Sequence, residues 1–224
     1  MPVSTQRPRL QRSIAFVDMA GFTALTEEQG DEDAAAIATR FAELTRTVLE
    51  PGDRLVKTIG DAVLVTSETA SAGVALVERL VTRATGLPAL RAGLHFGNVV
   101  ERDQDVFGMA VNLAARVAAE AHAGEVLGTD PIATAAEQNG IAVIELGRVA
   151  LKNVRDPVQL FSLALVLGAS DTPIDPVCHI PVDRRSAAGN LKHNGDHYWF
   201  CSLTCAAAFA SNPAWHIAPR AKSA

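Results

Sequence analysis

The chain has 224 residues, 48% of them hydrophobic and 20% charged, which is enough apolar content to bury a core and excludes wholesale disorder. Its formal charge of −5, with net −6 in residues 1–165 and net +1 in 166–224, argues against nucleic acid as the principal partner, because phosphate backbones are held by basic surfaces. No stretch approaches the roughly 20 apolar residues of a membrane span, and the opening Met1 to Ser13 is polar with Arg7, Arg9 and Arg12, so we expect a soluble cytoplasmic protein without membrane or nucleic-acid partners.

Ser13-Ile-Ala-Phe-Val-Asp18 is a short apolar run ending in a carboxylate, and Gly21-Phe22-Thr23 marks a turn into a helix. From Asp31 to Leu49 apolar residues recur at helical spacing (Ile37, Phe41, Leu44, Val48) until Pro51-Gly52 stops them. Arg54 to Thr58 and Ala62 to Thr66 flank Ile59-Gly60-Asp61, a hairpin signal with a carboxylate beside its turn. A helix over about Ala70 to Ala84 precedes a strand from Leu90 to Val100. Phe107-Gly108 breaks the chain before an alanine-rich helix from Ala110 to Ala121. After Gly124 the pattern gives a short strand, a helix near Ile132 to Gln138, and strands near Val143 to Leu151 and Val158 to Leu165. Strands interleaved with helices and joined partly by a hairpin imply an α/β (α+β) mixed sheet with packed helices. Aromatics make up only 5% of the chain, so Ala, Val and Leu must fill most of the core.

Asp18 and Asp61 both end apolar strands beside glycine turns, where a charged side chain persists only if it meets solvent or a cation. If the strands are neighbours the carboxylates converge and suit two Mg²⁺. Each aspartate also suits a simple turn cap, and spacing alone leaves both readings open. An acidic surface must in any case recruit cations before it handles a phosphate.

Phe16-Val-Asp18-Met-Ala-Gly-Phe-Thr23, Lys57-Thr-Ile-Gly-Asp61 and Asp105-Val-Phe-Gly-Met-Ala-Val-Asn112-Leu-Ala-Ala-Arg116 resemble the class III adenylate/guanylate cyclase catalytic domain, with support from Arg91-Ala-Gly-Leu-His-Phe-Gly97 and Gly147-Arg-Val-Ala-Leu-Lys152. The resemblance runs from about Ser13 to Leu163 and implies a ferredoxin-like mixed β-sheet. It implies that Asp18 and Asp61 hold two divalent ions, Mg²⁺ or Mn²⁺, and that Lys57 and Asp105 select the base. It makes Asn112 and Arg116 the transition-state residues and Lys152 a weaker candidate for a phosphate contact. An ammonium donor beside a carboxylate acceptor complements adenine rather than guanine, so ATP is the expected substrate. The family assembles each site across a dimer, so we expect a homodimer in which one protomer gives Asp18 and Asp61 and the other gives Lys57, Asp105, Asn112 and Arg116. We read His95 as a packed or hydrogen-bonded strand histidine, and His122 as a complement to a helix end.

The three cysteines all lie in the last quarter, which fits a metal or thiol site better than a disulfide framework. Asp175-Pro-Val-Cys178, His197-Tyr-Trp-Phe-Cys201-Ser-Leu-Thr-Cys205, Phe209 and Asn212-Pro213 resemble a YHS domain, a small metal-binding module. Cys178, Cys201 and Cys205 would ligate a thiophilic ion such as Zn²⁺ or Cu⁺. The fourth ligand is open between Asp175, a histidine (His193, His197 or His216) and water. His179 stands where that family usually has glycine. A small apolar unit in which Trp199, Phe200 and buried thiols simply pack is the alternative. The expected boundaries are a tail at 1–12, a cyclase domain at 13–166, a linker at 167–174, a YHS domain at 175–218 and a tail at 219–224. The expected activity is conversion of ATP to cyclic AMP and pyrophosphate, modulated by the tail. The competing readings are a dimeric nucleotide-binding scaffold for a metal sensor, and a guanylate cyclase.

Overall fold

The computed structural model describes residues 10–165, 173–178, 182, 184–185 and 187–217. The expected terminal tails beyond these bounds, most of the linker, and His179 lie outside the described residues. Strand β1 (Leu10–Met19) leads into helices α1 (Phe22–Gln29) and α2 (Asp31–Thr47). The β2 (Asp53–Ile59) and β3 (Ala62–Ser67) hairpin, helix α3 (Ala70–Arg83) and strand β4 (Leu90–Arg102) follow. A short β5 (Asp105–Phe107) folds back on β4 before α4 (Met109–Glu120), β6 (Val126–Gly128), α5 (Asp130–Gln138), β7 (Val143–Val149) and β8 (Val158–Leu163). The main sheet runs β2-β3-β1-β4-β6-β8-β7, with β5 attached to β4. Its first four strands are antiparallel in the order of a ferredoxin-like βαββαβ unit, and the β4–β6 pair is parallel. The sheet is mixed, as the sequence implies. The helix start expected at Gly21-Phe22-Thr23 is α1, separated from α2 by Gly30, and the element that escapes the hydropathy pattern is the three-residue β5.

Alternation along β1 divides the interior. Ala15, Val17 and Met19 join the large core with Phe41 of α2, Val74, Val77 and Leu80 of α3, and Ile132 and Ala136 of α5. Ile14, with Phe16 packed beside it, faces the other way, into a smaller core with Leu64, Val99, Val106 and the α4 residues Ala110 and Ala114. Helix α3 starts on Thr69, whose side chain accepts the Ala72 N–H. On the opposite side of the sheet α4 approaches so closely that a Cβ on Gly93 would fall inside the backbone of Ala118. Backbone cannot yield there as a flexible side chain would.

The tail adds a second, two-stranded sheet. Strands β9 (Gly189–His193) and β10 (Asp196–Phe200) pair antiparallel, followed by α6 (Leu203–Ser211) and the single turn α7 (Pro213–His216). Val177, Cys178, Phe200, Cys205 and Phe209 are its buried centre.

Gly93→Ala should therefore destabilise the fold by about 1–3 kcal/mol, the range for forced overpacking. Equilibrium unfolding in urea reads this directly, and a variant within about 0.5 kcal/mol of the parent would show that α4 does not rest on this backbone.

Candidate active site and thiol cluster

Two strand ends bring the first pair of carboxylates together. Asp18, at the end of β1, lies opposite Ala62 of β3, next to Asp61 in the two-residue turn where Gly60 supplies the positive φ of 61°. The two carboxyl groups are neighbours, and Asp18 is among the groups that raise the Asp61 carboxyl. Burial first, and the charge of Asp18 second, push Asp61 up to about 6. On its other side Asp18 faces Arg91 of β4, its register partner. Both Nε and Nη2 of Arg91 donate to Asp18 Oδ2, at 2.8 and 2.5 Å. Sequence reading treats Arg91 only as part of a supporting motif, although its pairing opposite Asp18 was derivable once the two strands were known to be neighbours. Two partly buried carboxylates stand side by side with one guanidinium, that of Arg91, against them. Their oxygen donors suit hard divalent cations.

The second pair depends on an irregularity in β2. The β2–β3 register shifts between Leu55 and Lys57, leaving Val56 as an extra residue. Lys57 thereby comes opposite Leu64, itself opposite Phe16, and so lies on the α4 side of the sheet. Asp105 approaches from β5, and Lys57 Nζ donates to its Oδ2 at 2.6 Å. Asp105 Oδ1 accepts the Val106 N–H at 2.8 Å. The Lys57 hydrogen bond, then the Val106 N–H, hold Asp105 below the usual carboxylate range. The β4–β5 turn is Asp103-Gln104, both left-handed with φ of 52° and 63° although neither is glycine, a conformation costing about 1–2 kcal/mol per residue. Arg54 Nη2 donates to the Gln104 carbonyl at 3.4 Å.

Asn112 and Arg116 share one face of α4, Asn112 exposed and Arg116 half-buried. Among the described residues no hydrogen bond or ion pair joins either of them to the Asp18–Asp61 pair. Lys152 is exposed in the β7–β8 connection, again without such a link to the other site residues. His95 is partly buried with Nδ1 2.8 Å from Thr129 Oγ1, and burial lowers its basicity. His122 is exposed just beyond α4.

In the tail, Asp175, Cys178, Cys201 and Cys205 place one ligand atom each within 4.8 Å of one another. Cys178 Sγ lies 3.3 Å from Cys201 Sγ, which lies 3.8 Å from Cys205 Sγ. Ser202 caps α6 by accepting the Cys205 N–H, which sets that cysteine in the first turn. Fully buried Asp175 braces the cluster: Oδ1 accepts the Val177 N–H at 2.9 Å and Oδ2 the Cys201 N–H at 2.8 Å. Burial raises the Cys201 thiol and pushes Cys205 up to about 12. Soft sulfur donors converging on one point suit a thiophilic cation, whose charge would reverse that cost. His193, His197 and His216 are not among these converging donors. The His193 and His216 rings instead lie against Phe209.

Residues 6–164 match the family described as the Adenylate and Guanylate cyclase catalytic domain, and the chain belongs to that family. It is 35% identical over 158 residues to a pH-sensitive adenylate cyclase of Mycobacterium tuberculosis (strain CDC 1551 / Oshkosh), covering 67% of this chain and 40% of that protein. It is 36% identical over 126 residues to an adenylate cyclase of Streptomyces griseus, covering 54% and 31%. The chain thus spans well under half the length of these curated relatives. Among solved structures, the adenylyl cyclase CyaB from P. aeruginosa is similar at a TM-score of 0.60 and 24% identity, over 70% of this chain and 94% of that one. The adenylate/guanylate cyclase/hydrolase from Silicibacter pomeroyi is similar at 0.61 and 26% identity, over 69% and 96%. The family match ends at residue 164, before the cysteines.

The Asp61 shift has a definite sign. Its folded value of about 6 lies above the ordinary 3.8, so the protonated carboxyl stabilises the metal-free fold below about pH 4. That contribution is lost as pH rises through about 6. Asp61→Asn should raise the melting temperature in chelator at pH 8 by about 2 °C, a small gain because the site is partly solvent-screened, and leave it nearly unchanged at about pH 3, below the ordinary value. Equal shifts at both pH values would remove the repulsion between the two carboxylates.

Proposed function

We propose that the chain is an adenylate cyclase, forming 3′,5′-cyclic AMP and pyrophosphate from ATP as a homodimer. The observation that carries this reading is the Lys57–Asp105 pair at 2.6 Å. An ammonium donor beside a carboxylate acceptor complements the N1 acceptor and N6 amino donor of adenine, while guanine presents the opposite pattern. Asp18 and Asp61 would hold two Mg²⁺ or Mn²⁺ per site, and such ions neutralise triphosphate charge when bound. Asn112 positions the ribose so that its 3′-oxygen attacks the α-phosphorus in line. The new P–O bond forms as the bond to the β-phosphate oxygen breaks, and pyrophosphate leaves. Arg116 stabilises the negative charge that grows at the phosphorus centre, and Lys152 contacts a phosphate. Each site draws Asp18 and Asp61 from one protomer and the base and transition-state residues from its partner. Exposed Ile59, Phe107 and Met109, on or beside the elements that carry Lys57, Asp105 and Asn112, support a second copy as the cover for this surface. No helix among the described residues is long and apolar enough to cross a membrane, and we assign the protein to the cytoplasm.

Cyclic AMP should form from ATP with Mn²⁺ or Mg²⁺, far exceed cyclic GMP from GTP, and vanish in Asp61→Ala. Arg116→Ala should lower kcat by about 100-fold or more with little change in KM. An unchanged kcat would remove Arg116 from the transition state. Absence of product under every metal would favour the scaffold reading.

The thiol cluster favours a second activity for the tail. We read residues 175–218 as a YHS-type module, separated by the linker from the cyclase domain at 13–166, in which Cys178, Cys201, Cys205 and Asp175 hold Zn²⁺ or another thiophilic ion that modulates turnover. About one equivalent of Co²⁺ should bind per tail, giving a thiolate charge-transfer band that Cys201→Ser removes. A band that survives that substitution would exclude Cys201 from the ligand set.

A further inference from the structure

We propose that Arg54 is a positioning residue for base recognition: it holds the β4–β5 turn in its left-handed conformation and thereby sets Asp105 against Lys57. The proposal rests on reading Lys57 and Asp105 as the base-selecting pair.

The extra residue in β2 has a second effect. Arg54 lies opposite Thr66, which lies opposite Ile14, while Lys57 lies opposite Leu64, which lies opposite Phe16. Arg54 and Lys57, three apart, therefore share the α4 face of the sheet, where regular alternation would have put them on opposite faces. Both reach the same hairpin. Lys57 takes the side chain of Asp105, and Arg54 takes the carbonyl of Gln104, the residue immediately before it. Arg54 Nη1 also lies 4.0 Å from Glu101 Oε2, on the other limb of the hairpin, and Glu101 Oε1 accepts from Arg12 Nε at 3.2 Å. One guanidinium thus ties the turn to the β4 limb of the hairpin.

The turn needs such a hold. A two-residue hairpin with both central residues left-handed is the arrangement for which Asn-Gly and Asp-Gly sequences are favoured, yet this chain has Asp103-Gln104. Left to itself, Gln104 gains by relaxing out of that region, and Asp105 would move with it. Arg54 Nε is buried without a partner among the described residues, so the guanidinium is placed to serve the hairpin at the expense of its own hydrogen bonding. An ordinary surface ion pair would show neither the buried Nε nor a contact to a carbonyl in a left-handed turn.

The test uses the full chain with Arg54→Ala, Arg54→Lys, Gln104→Gly and the double variant Arg54→Ala/Gln104→Gly. Kinetics with ATP and GTP are paired with hydrogen exchange of residues 101–107 without nucleotide. Arg54→Ala should cut the ATP-over-GTP ratio of kcat/KM by about tenfold, the size of one lost charged hydrogen bond, mainly through KM for ATP, and speed exchange in the hairpin. Gln104→Gly should restore both in the double variant, because glycine occupies positive φ without strain. Arg54→Lys keeps the charge but loses the fork and should resemble Arg54→Ala; it carries the comparison where Arg54→Ala does not fold. Unchanged base preference and exchange, or failure of Gln104→Gly to rescue, would overturn the proposal. Absence of cyclase activity in the parent would defeat the functional reading instead, and the exchange data would still decide whether Arg54 holds the turn.

Discussion

The register of β1 against both of its neighbours governs the candidate active site. Asp18 stands opposite Ala62 on one side and Arg91 on the other, so one strand position brings together the Asp61 turn and the only charge partner Asp18 has among the described ion pairs. That register is enforced by apolar packing, since Ala15, Val17 and Met19 enter the large core while Ile14 and Phe16 enter the α4 side. A slip of one residue would exchange the two faces and drive Asp18 into the larger core, at a cost of several kcal/mol for a buried carboxylate without compensation. Hydrophobic burial thus fixes a charged group that itself contributes little to holding the fold.

Departures from regular geometry gather around the same chemistry. The unpaired Val56, the Gly60 turn beside Asp61 and the left-handed Asp103-Gln104 turn before Asp105 each lie within two residues of a site side chain. Regular strands would have aimed Lys57 away from the hairpin. Local irregularity is how a sheet, whose side chains otherwise alternate between two fixed directions, gathers several polar groups on one patch. Stability for these irregular pieces comes from the cores beneath them and from the close seat of α4 on Gly93.

Much of this is legible in the amino-acid sequence. The apolar runs ending in Asp18 and flanking Asp61 gave the strands, and the turn signal at Gly60 gave the hairpin, because side-chain period and glycine freedom are local properties. The nearness of Cys201 and Cys205 followed from their spacing at a helix start. The role of Arg91 was not legible, since it arises from pairing between strands 73 residues apart in sequence. Nor was the face on which Lys57 lies, because a bulge leaves no mark in hydropathy and strict alternation gives the wrong side. Strand β5 was hidden by its length of three residues. Asp175 was read as a candidate ligand, while its hydrogen bonds to the Val177 and Cys201 N–H groups add a bracing role that only the folded loop discloses.

The β2–β3 hairpin also bears on how two sites in the proposed homodimer would communicate. Lys57 and Asp61 are four residues apart on this hairpin, yet the proposed dimer would assign Lys57 to base selection in one site and Asp61 to the carboxylate pair of the other. A two-residue turn closed by the Ile59–Ala62 pair leaves little backbone freedom between them, so a shift of the hairpin that improves one contact alters the other. Nucleotide seated against Lys57 in one site would then bias the Asp18–Asp61 geometry in the second through the backbone itself. Coupling of this kind requires two arrangements of the hairpin that differ in free energy between empty and occupied sites, and the short turn between Lys57 and Asp61 is the element that both sites would bias.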